Sequence, residues 1–457
     1  ILAQVFLIFP SMICGRLPAS RVFSCSRRDV RHAAKRCFSY SPPGMIGVAI
    51  DLVDEPGALA NITSVLAKHN ISVSAIESRV NPLPPHEQLF HTHMIASWDD
   101  PSTHELISEL KAHSTAVYRL PPASAPWFPR HVTDIDQFSR STLDAGTDLE
   151  SSHPGFSDQE YRKRRDSIVS HANSYSSGQR IPEVQYTEQD VQTWGTVYKK
   201  LSSLYPWYAC QEHNDSWAEL EKAGIYSPDR IPQLQEISEF LNSKTGFTLR
   251  PVTGLLSARD FLAALAFRVF FSTQYIRHHS APMYTPEPDV CHELMGHVPM
   301  FANPDFAEFT QQIGLASLGA SDEVVEKLAT TYWFSAEFGL LWEKGEIRAY
   351  GAGVLSSYGE LLHATSPTNS DIEIRPWDPF QAAYQKYPIT TMQPVYYAAS
   401  SLSDAKEKMK RFASQIERPF NVHYDHEHQV VLTDRSVIGR PVGLRWKAES
   451  SDQRVPL

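Results

Sequence analysis

The chain opens on an apolar stretch, Ile1 to Phe9, that falls far short of the ~20 residues a membrane-spanning helix requires. Cysteine is scarce. Five residues in 457, at positions 14, 25, 37, 210 and 291, are odd in number and lack zinc-site spacing, which excludes a disulfide framework and a paired-cysteine zinc module. An excess of positive charge is also missing: 42 Lys and Arg against 52 Asp and Glu give a net charge of −10, unsuited to a phosphate backbone. No regular alternation of strands and helices runs through the body, which argues against a parallel βαβ sheet. What remains, 42% apolar and 21% charged, is an ordinary globular composition in a chain long enough for two or three domains.

Between Met12 and Ser41, seven basic residues (Arg16, Arg21, Arg27, Arg28, Arg31, Lys35, Arg36) face one acid, Asp29, among many Ser and Ala. That texture predicts an organellar leader over 1–42 and a mitochondrial address. Residues 43–120 read as β-α-β-β-α-β: strands at Ile46–Leu52, Ile71–Ile76, Leu89–Ser97 and Ala116–Leu120, with helices at Gly57–His69 and His104–Ala112. This order predicts a ferredoxin-like α+β sandwich. Proline and Ser/Thr/Asp clusters make 121–152 a linker. From 153 to 417 the helical periods dominate, including Glu188–Leu204, Ile231–Ser243, Ala258–Arg277 and Phe306–Leu315, and predict a mainly α domain. Within it Tyr161-Arg-Lys-Arg-Arg165 reads as a solvated helix face. Residues 418–457 begin with a hairpin, Pro419–Tyr424 and His428–Leu432, and the tail carries no heptad repeat.

The chemistry concentrates in Tyr284-Thr-Pro-Glu-Pro-Asp-Val-Cys-His292-Glu293-Leu-Met-Gly-His297-Val-Pro299. In H-E-x-x-H the histidines are four apart and share a helix face; His292 and His297 are five apart, about 140° off a shared face on an α-helix. A helix break at Gly296 would gather both rings; the alternative is a pair of satisfied core or surface histidines. Glu337 lies in Thr330-Thr-Tyr-Trp-Phe-Ser-Ala-Glu-Phe-Gly-Leu-Leu-Trp342, a run apolar on nearly all sides and read as a buried helix. A charge buried there needs a metal or a cationic partner. Two imidazoles and one carboxylate are the facial set of non-haem Fe(II) oxygenases. A buried Glu–Arg pair and a zinc hydrolase built on His292-Glu293 are the alternatives.

The run Thr285–Pro299 resembles the iron-binding signature of the tetrahydrobiopterin-dependent aromatic amino acid hydroxylases, supported by Gly254–Phe261, Thr273–His278, Ile313–Ala320 and Ala349–Glu360. The likeness runs from about His153 to Tyr424. It implies the hydroxylase fold for the α domain, with Fe(II) on His292, His297 and Glu337, and a tetrahydropterin along Gly254, Leu256, Ala258 and Phe261. Glu293 and Tyr332 would stand on the pterin side. Arg277 would grip the substrate carboxylate, while Thr285, Pro288, Trp333, Phe338, Gly353, Ser356 and Ile389 line the amino-acid pocket. The implied substrates are L-phenylalanine and O2, with tryptophan or tyrosine as alternatives. Residues 43–120 resemble an ACT domain, an amino-acid-sensing module, through Gly57-Ala58-Leu59 and Ile76-Glu77-Ser78. That implies pairing of ACT domains on phenylalanine; an amino-acid sensor without catalysis is the remote alternative. A tail lacking the long helix that follows such an arm in animal relatives implies a homodimer.

Overall fold

The structure, a computed structural model, describes residues 45–53, 55–80, 87–95, 101–120, 123–140, 149, 153–366, 370–388, 391–435, 437–440 and 455–456. The leader expected at 1–42 and the pocket residue Ile389 lie outside the described residues. The chain divides into two compact units. One comprises Met12–Arg130, Gly319–Ser321 and Glu417–Leu457; the other holds His131–Leu318 and Asp322–Ile416.

In the first unit, strands β1 (Met45–Val53), β2 (Val73–Val80), β3 (Glu87–Ile95) and β4 (Ala116–Leu120) alternate with helices α1 (Ala58–Lys68) and α2 (Pro101–Ala112). The sheet order β4-β1-β3-β2 is antiparallel throughout, as the sandwich reading requires, and a short strand Val455–Pro456 extends it beside β4. Alternation on β1 sends Ile46, Val48, Ile50 and Leu52 to one face, where Ile62, Val65 and Leu66 of α1 and Leu106, Ile107 and Leu110 of α2 cover them. Burial of each such side chain contributes about 1.5–3 kcal/mol. Gly57 enters α1 at φ 95°, a left-handed conformation that the Pro-Gly pair supplies. Ala58 and Leu59 form the first turn of α1, and Ile76, Glu77 and Ser78 pair along β3 with Thr92, His91 and Phe90. The hairpin is present as Val422–Asp425 against Val430–Thr433. Part of the expected linker is regular: Ala123–Pro126 is a strand parallel to Val437–Arg440, and Val132–Arg140, in the other unit, is a 3-10 helix.

The second unit is mainly helical, and its helix starts follow from local capping. Asp158, Ser257, Asn303, Ser357 and Ser401 each accept a backbone N–H of the first turn, and Thr187 with Asp190 forms a full capping box. Two expectations fail here. The helix predicted over Ala258–Arg277 ends at Leu265, and Val269–Ser272 is a strand parallel to Thr248–Pro251. Arg268 makes the break at φ 53°, held by its side chain on Gln311 and on the Thr245 carbonyl, tertiary partners that an apolar run does not announce. The second failure is Arg165. It is 4% exposed rather than solvated, paired with Glu287 and lying 3.8 Å over the Tyr275 ring.

Candidate metal and cofactor site

His292–His297 forms a π-helical turn, continued by the α-helical turn Val298–Phe301. In a π turn each N–H bonds five residues back, as Val298 does to Glu293, so residues five apart lie above one another. The expected helix break at Gly296 is therefore absent. Gly296 serves packing instead: a Cβ there would sit 2.7 Å from the Ala352 carbonyl oxygen and 2.9 Å from its Cβ. The widened turn is sustained from outside. His213 Nε2 donates to the Met295 carbonyl at 3.1 Å, and the Tyr226 hydroxyl donates to that of Leu294. Asp289 anchors the entry, accepting the His292 N–H at 3.1 Å.

Glu337 arrives on a second π turn, Trp333–Glu337, which follows the helix Asp322–Tyr332. The single buried helix expected over 330–342 thus ends at Glu337, and Leu340–Glu343 is a strand. The three side chains converge: His292 Nε2 lies 3.0 Å from His297 Nε2, and Glu337 reaches them at 3.7 and 3.2 Å. Two nitrogens bound at right angles to one ion at about 2.1 Å would be about 3.0 Å apart. All three residues are buried, and Glu337 Oε2 has no hydrogen-bond partner. The Ser356 hydroxyl meets His292 Nδ1 at 2.8 Å, fixing the ring so that Nε2 faces the gap. Burial, and then the charges of His297 and Arg277, hold the His292 pKa well below the usual value, which keeps its lone pair free. This donor set fits a divalent ion with open positions.

Glu293 also falls within 4.8 Å of both imidazoles, so two carboxylates compete for the ligand role. Hydrogen bonding decides between them. Glu293 Oε1 accepts the backbone N–H and hydroxyl of Thr273, both at 3.2 Å, and burial pushes its pKa well above the carboxylate range, favouring the neutral form. Glu337, with an unsatisfied oxygen beside the imidazoles, is the better suited of the two to the ligand role.

A cavity of about 40 Å³, room for an ion and a few waters, opens beside the triad. Its walls join Gly254, Leu256, Phe261, Glu293 and Pro288, predicted for the pterin and substrate, to His292, His297 and Glu337. Tyr332 meets the Phe261 ring edge-on at 5.2 Å. Ala258 starts the helix behind this segment and is not among the cavity walls. Trp333, Phe338 and Gly353 form a second group: the two rings lie 4.6 Å apart, and a Cβ on Gly353 would meet Phe338 at 2.8 Å. Thr285 is turned inward, donating to the Glu287 carbonyl at 2.9 Å.

Arg277 is locked to Asp289 by two side-chain bonds of 2.8 and 2.9 Å, and Nη1 donates to the Pro282 carbonyl. Of its five N–H groups three are engaged, which leaves two, one on each terminal nitrogen. Burial pushes the Asp289 pKa up, but the adjacent Arg277 outweighs it and keeps the carboxyl below its ordinary range. Sequence reasoning missed Asp289, Thr273, His213 and Tyr226. Only Asp289 carried a signal, an acid three residues before His292 at a helix start.

A family model described as biopterin-dependent aromatic amino acid hydroxylase matches residues 126–439. The chain belongs to that family. An ACT domain model matches residues 47–95 of the hydroxylase. Dictyostelium discoideum phenylalanine-4-hydroxylase is 48% identical over 81% of this chain and 85% of its own. Mouse tyrosine 3-monooxygenase is 48% identical over 81% of this chain and 74% of its own. A solved phenylalanine hydroxylase from Chromobacterium violaceum, with bound iron(III) and 7,8-dihydrobiopterin, is 30% identical over 54% of this chain and 90% of its own, at a TM-score of 0.49. Iron and tetrahydrobiopterin are the cofactors of the hydroxylase, and His292, His297 and Glu337 supply a donor set that suits the metal.

Proposed function

We propose that the hydroxylase is a phenylalanine 4-monooxygenase, converting L-phenylalanine to L-tyrosine with O2 and a tetrahydropterin. One observation carries the reading: the His292–His297–Glu337 triad opens into the same cavity as Gly254, Leu256 and Phe261. Relatives named for phenylalanine hydroxylation, at 48% identity, support the choice of substrate. When bound, iron and the reduced pterin together supply the oxygen activation that side chains alone do not perform. The chain's own residues bind, orient and exclude water. Phe261 offers a ring face for a flat heterocycle, and neutral Glu293 offers a proton for a hydrogen bond without placing a second charge beside the ion. The two unused N–H groups of Arg277 suit an amino-acid carboxylate, with Asp289 holding the fork in register. Trp333 and Phe338 give the substrate ring an apolar wall, and Thr285 and Pro288 close the other side.

Tyrosine 3-monooxygenase, a relative at the same 48% identity, keeps tyrosine hydroxylation as a second reading. Incubation with iron, tetrahydrobiopterin and an equimolar mixture of 13C-labelled phenylalanine, unlabelled tyrosine and unlabelled tryptophan separates them by product, newly formed tyrosine carrying the label. Tyrosine as the first and main product supports the proposal; dihydroxyphenylalanine or hydroxytryptophan in its place refutes it. The ACT region is proposed to pair with a second copy on binding phenylalanine, within a homodimer. Light scattering that gives one unchanging monomer mass with and without phenylalanine would sink this.

A further inference from the structure

Trp333 is held by a knot of buried polar groups outside the cavity. Its Nε1 donates to Gln393 Oε1 at 3.2 Å. Gln393 Nε2 in turn donates to the Pro388 carbonyl at 2.9 Å, its backbone N–H donates to Glu360 Oε1 at 3.1 Å, and its carbonyl accepts from His363 Nε2 at 3.3 Å. Glu360 also accepts the Tyr396 hydroxyl. Gln393 is 1% exposed and Glu360 7%, so neither of these two side chains falls back on water. An indole N–H only donates and a peptide carbonyl only accepts, so a single orientation of the Gln393 amide satisfies both ends. The knot fixes more than one ring. Trp333 stacks on Tyr387 at 4.5 Å and 18°, and also meets Phe338 at 4.6 Å.

We propose that Gln393, braced by Glu360, is a specificity-positioning residue. It sets the plane of Trp333, and through it the width of the amino-acid pocket. The inference rests on the reading above that Trp333 and Phe338 wall that pocket. It requires at 393 a side chain that presents an acceptor to the indole and a donor to Pro388, as the amide does. A methionine of similar length offers no donor and only a weak acceptor. At 360 only an acceptor is required.

The test compares the wild type with Gln393→Met, Glu360→Gln and Glu360→Ala, using KM and kcat for phenylalanine and tryptophan, iron per chain, and the fluorine NMR of 5-fluorotryptophan-labelled protein. The Trp333 resonance is assigned by its loss in Trp333→Phe. Gln393→Met is expected to raise the phenylalanine KM about tenfold to a hundredfold, the scale of a displaced positioning group. It should also narrow the preference for phenylalanine over tryptophan, leave iron per chain unchanged and move the Trp333 resonance. Glu360→Ala should do the same, and Glu360→Gln should restore wild-type KM. A lower melting temperature or active fraction with unchanged KM and selectivity marks a merely structural role and overturns the proposal. An unmoved resonance in an active Gln393→Met enzyme overturns it as well. Wild-type protein that hydroxylates none of the three amino acids would refute the function reading, and the specificity claim with it, whereas the resonance still reports on the tether alone.

Discussion

Lowering the pH should weaken the His292–His297 turn through His213, which bonds the Met295 carbonyl rather than either imidazole. His213 is fully buried between Tyr205 and Trp217, its Nε2–H is spent on the Met295 carbonyl, and its Nδ1 has no partner. Burial, opposed weakly by that one hydrogen bond, pushes its pKa from 6.5 down to about 4. Because the folded value is depressed, the unfolded chain binds more protons between these limits. Stability is therefore intact above pH 6.5 and is lost as pH falls toward about 4. Over that span of about 2.5 pH units, at about 1.36 kcal/mol each, the full loss is about 3 kcal/mol, of which about 2 kcal/mol has appeared by about pH 5. The assay is urea unfolding of the chelator-treated wild type and of His213→Gln, which keeps a donor for Met295 but cannot ionise, at pH 7.5 and at pH 5. At pH 7.5 the variant is less stable because ring packing is lost. At pH 5 the gap should shrink by about 2 kcal/mol. A gap that is the same at both pH values refutes a buried neutral His213.

Three further outcomes follow from the same geometry. Gly296→Ala forces a methyl against Ala352 and should cost about 1–3 kcal/mol, together with weaker iron retention; thermal melting and metal analysis after dialysis check it, and an iron-replete variant of wild-type stability contradicts it. Asp289→Asn leaves the Arg277 charge buried without its counter-ion and should cost about 3–5 kcal/mol in denaturant unfolding; a cost under about 1 kcal/mol would show that the pair is not closed as described. Ser356→Ala removes the hydrogen bond that orients His292, and iron affinity should fall about tenfold with little change in stability. Competition with a calibrated chelator measures that fall, and unchanged affinity contradicts the orienting role.

The residue types of the site were legible in the sequence because the chemistry is severe: a carboxylate amid Trp333, Phe334 and Phe338 and two close histidines have few other uses. The geometry was not legible. An i, i+5 spacing is awkward on an α-helix, and the device that resolves it, a π turn, depends on donors from His213 and Tyr226, 82 and 68 residues distant from the carbonyls they serve. Gly296 advertised a break by its type, yet its task is close approach to Ala352. The helix end at Leu265 was invisible for a related reason, since Arg268 is turned by Gln311 and Thr245 rather than by a local breaker. Arg165 was misread because periodicity cannot tell a solvated arginine from one that has a buried acid, Glu287, waiting 122 residues away. The ACT-like region was the easiest, since strand alternation and helical spacing are local properties.

The most direct test of the account is isotopic. Wild-type protein loaded with Fe(II) and supplied with tetrahydrobiopterin, L-phenylalanine and 18O2 should yield tyrosine carrying one 18O in its new hydroxyl group, and Glu337→Ala should yield none above background. Unlabelled tyrosine, or labelled product undiminished in Glu337→Ala, would contradict a monooxygenase whose iron rests on His292, His297 and Glu337.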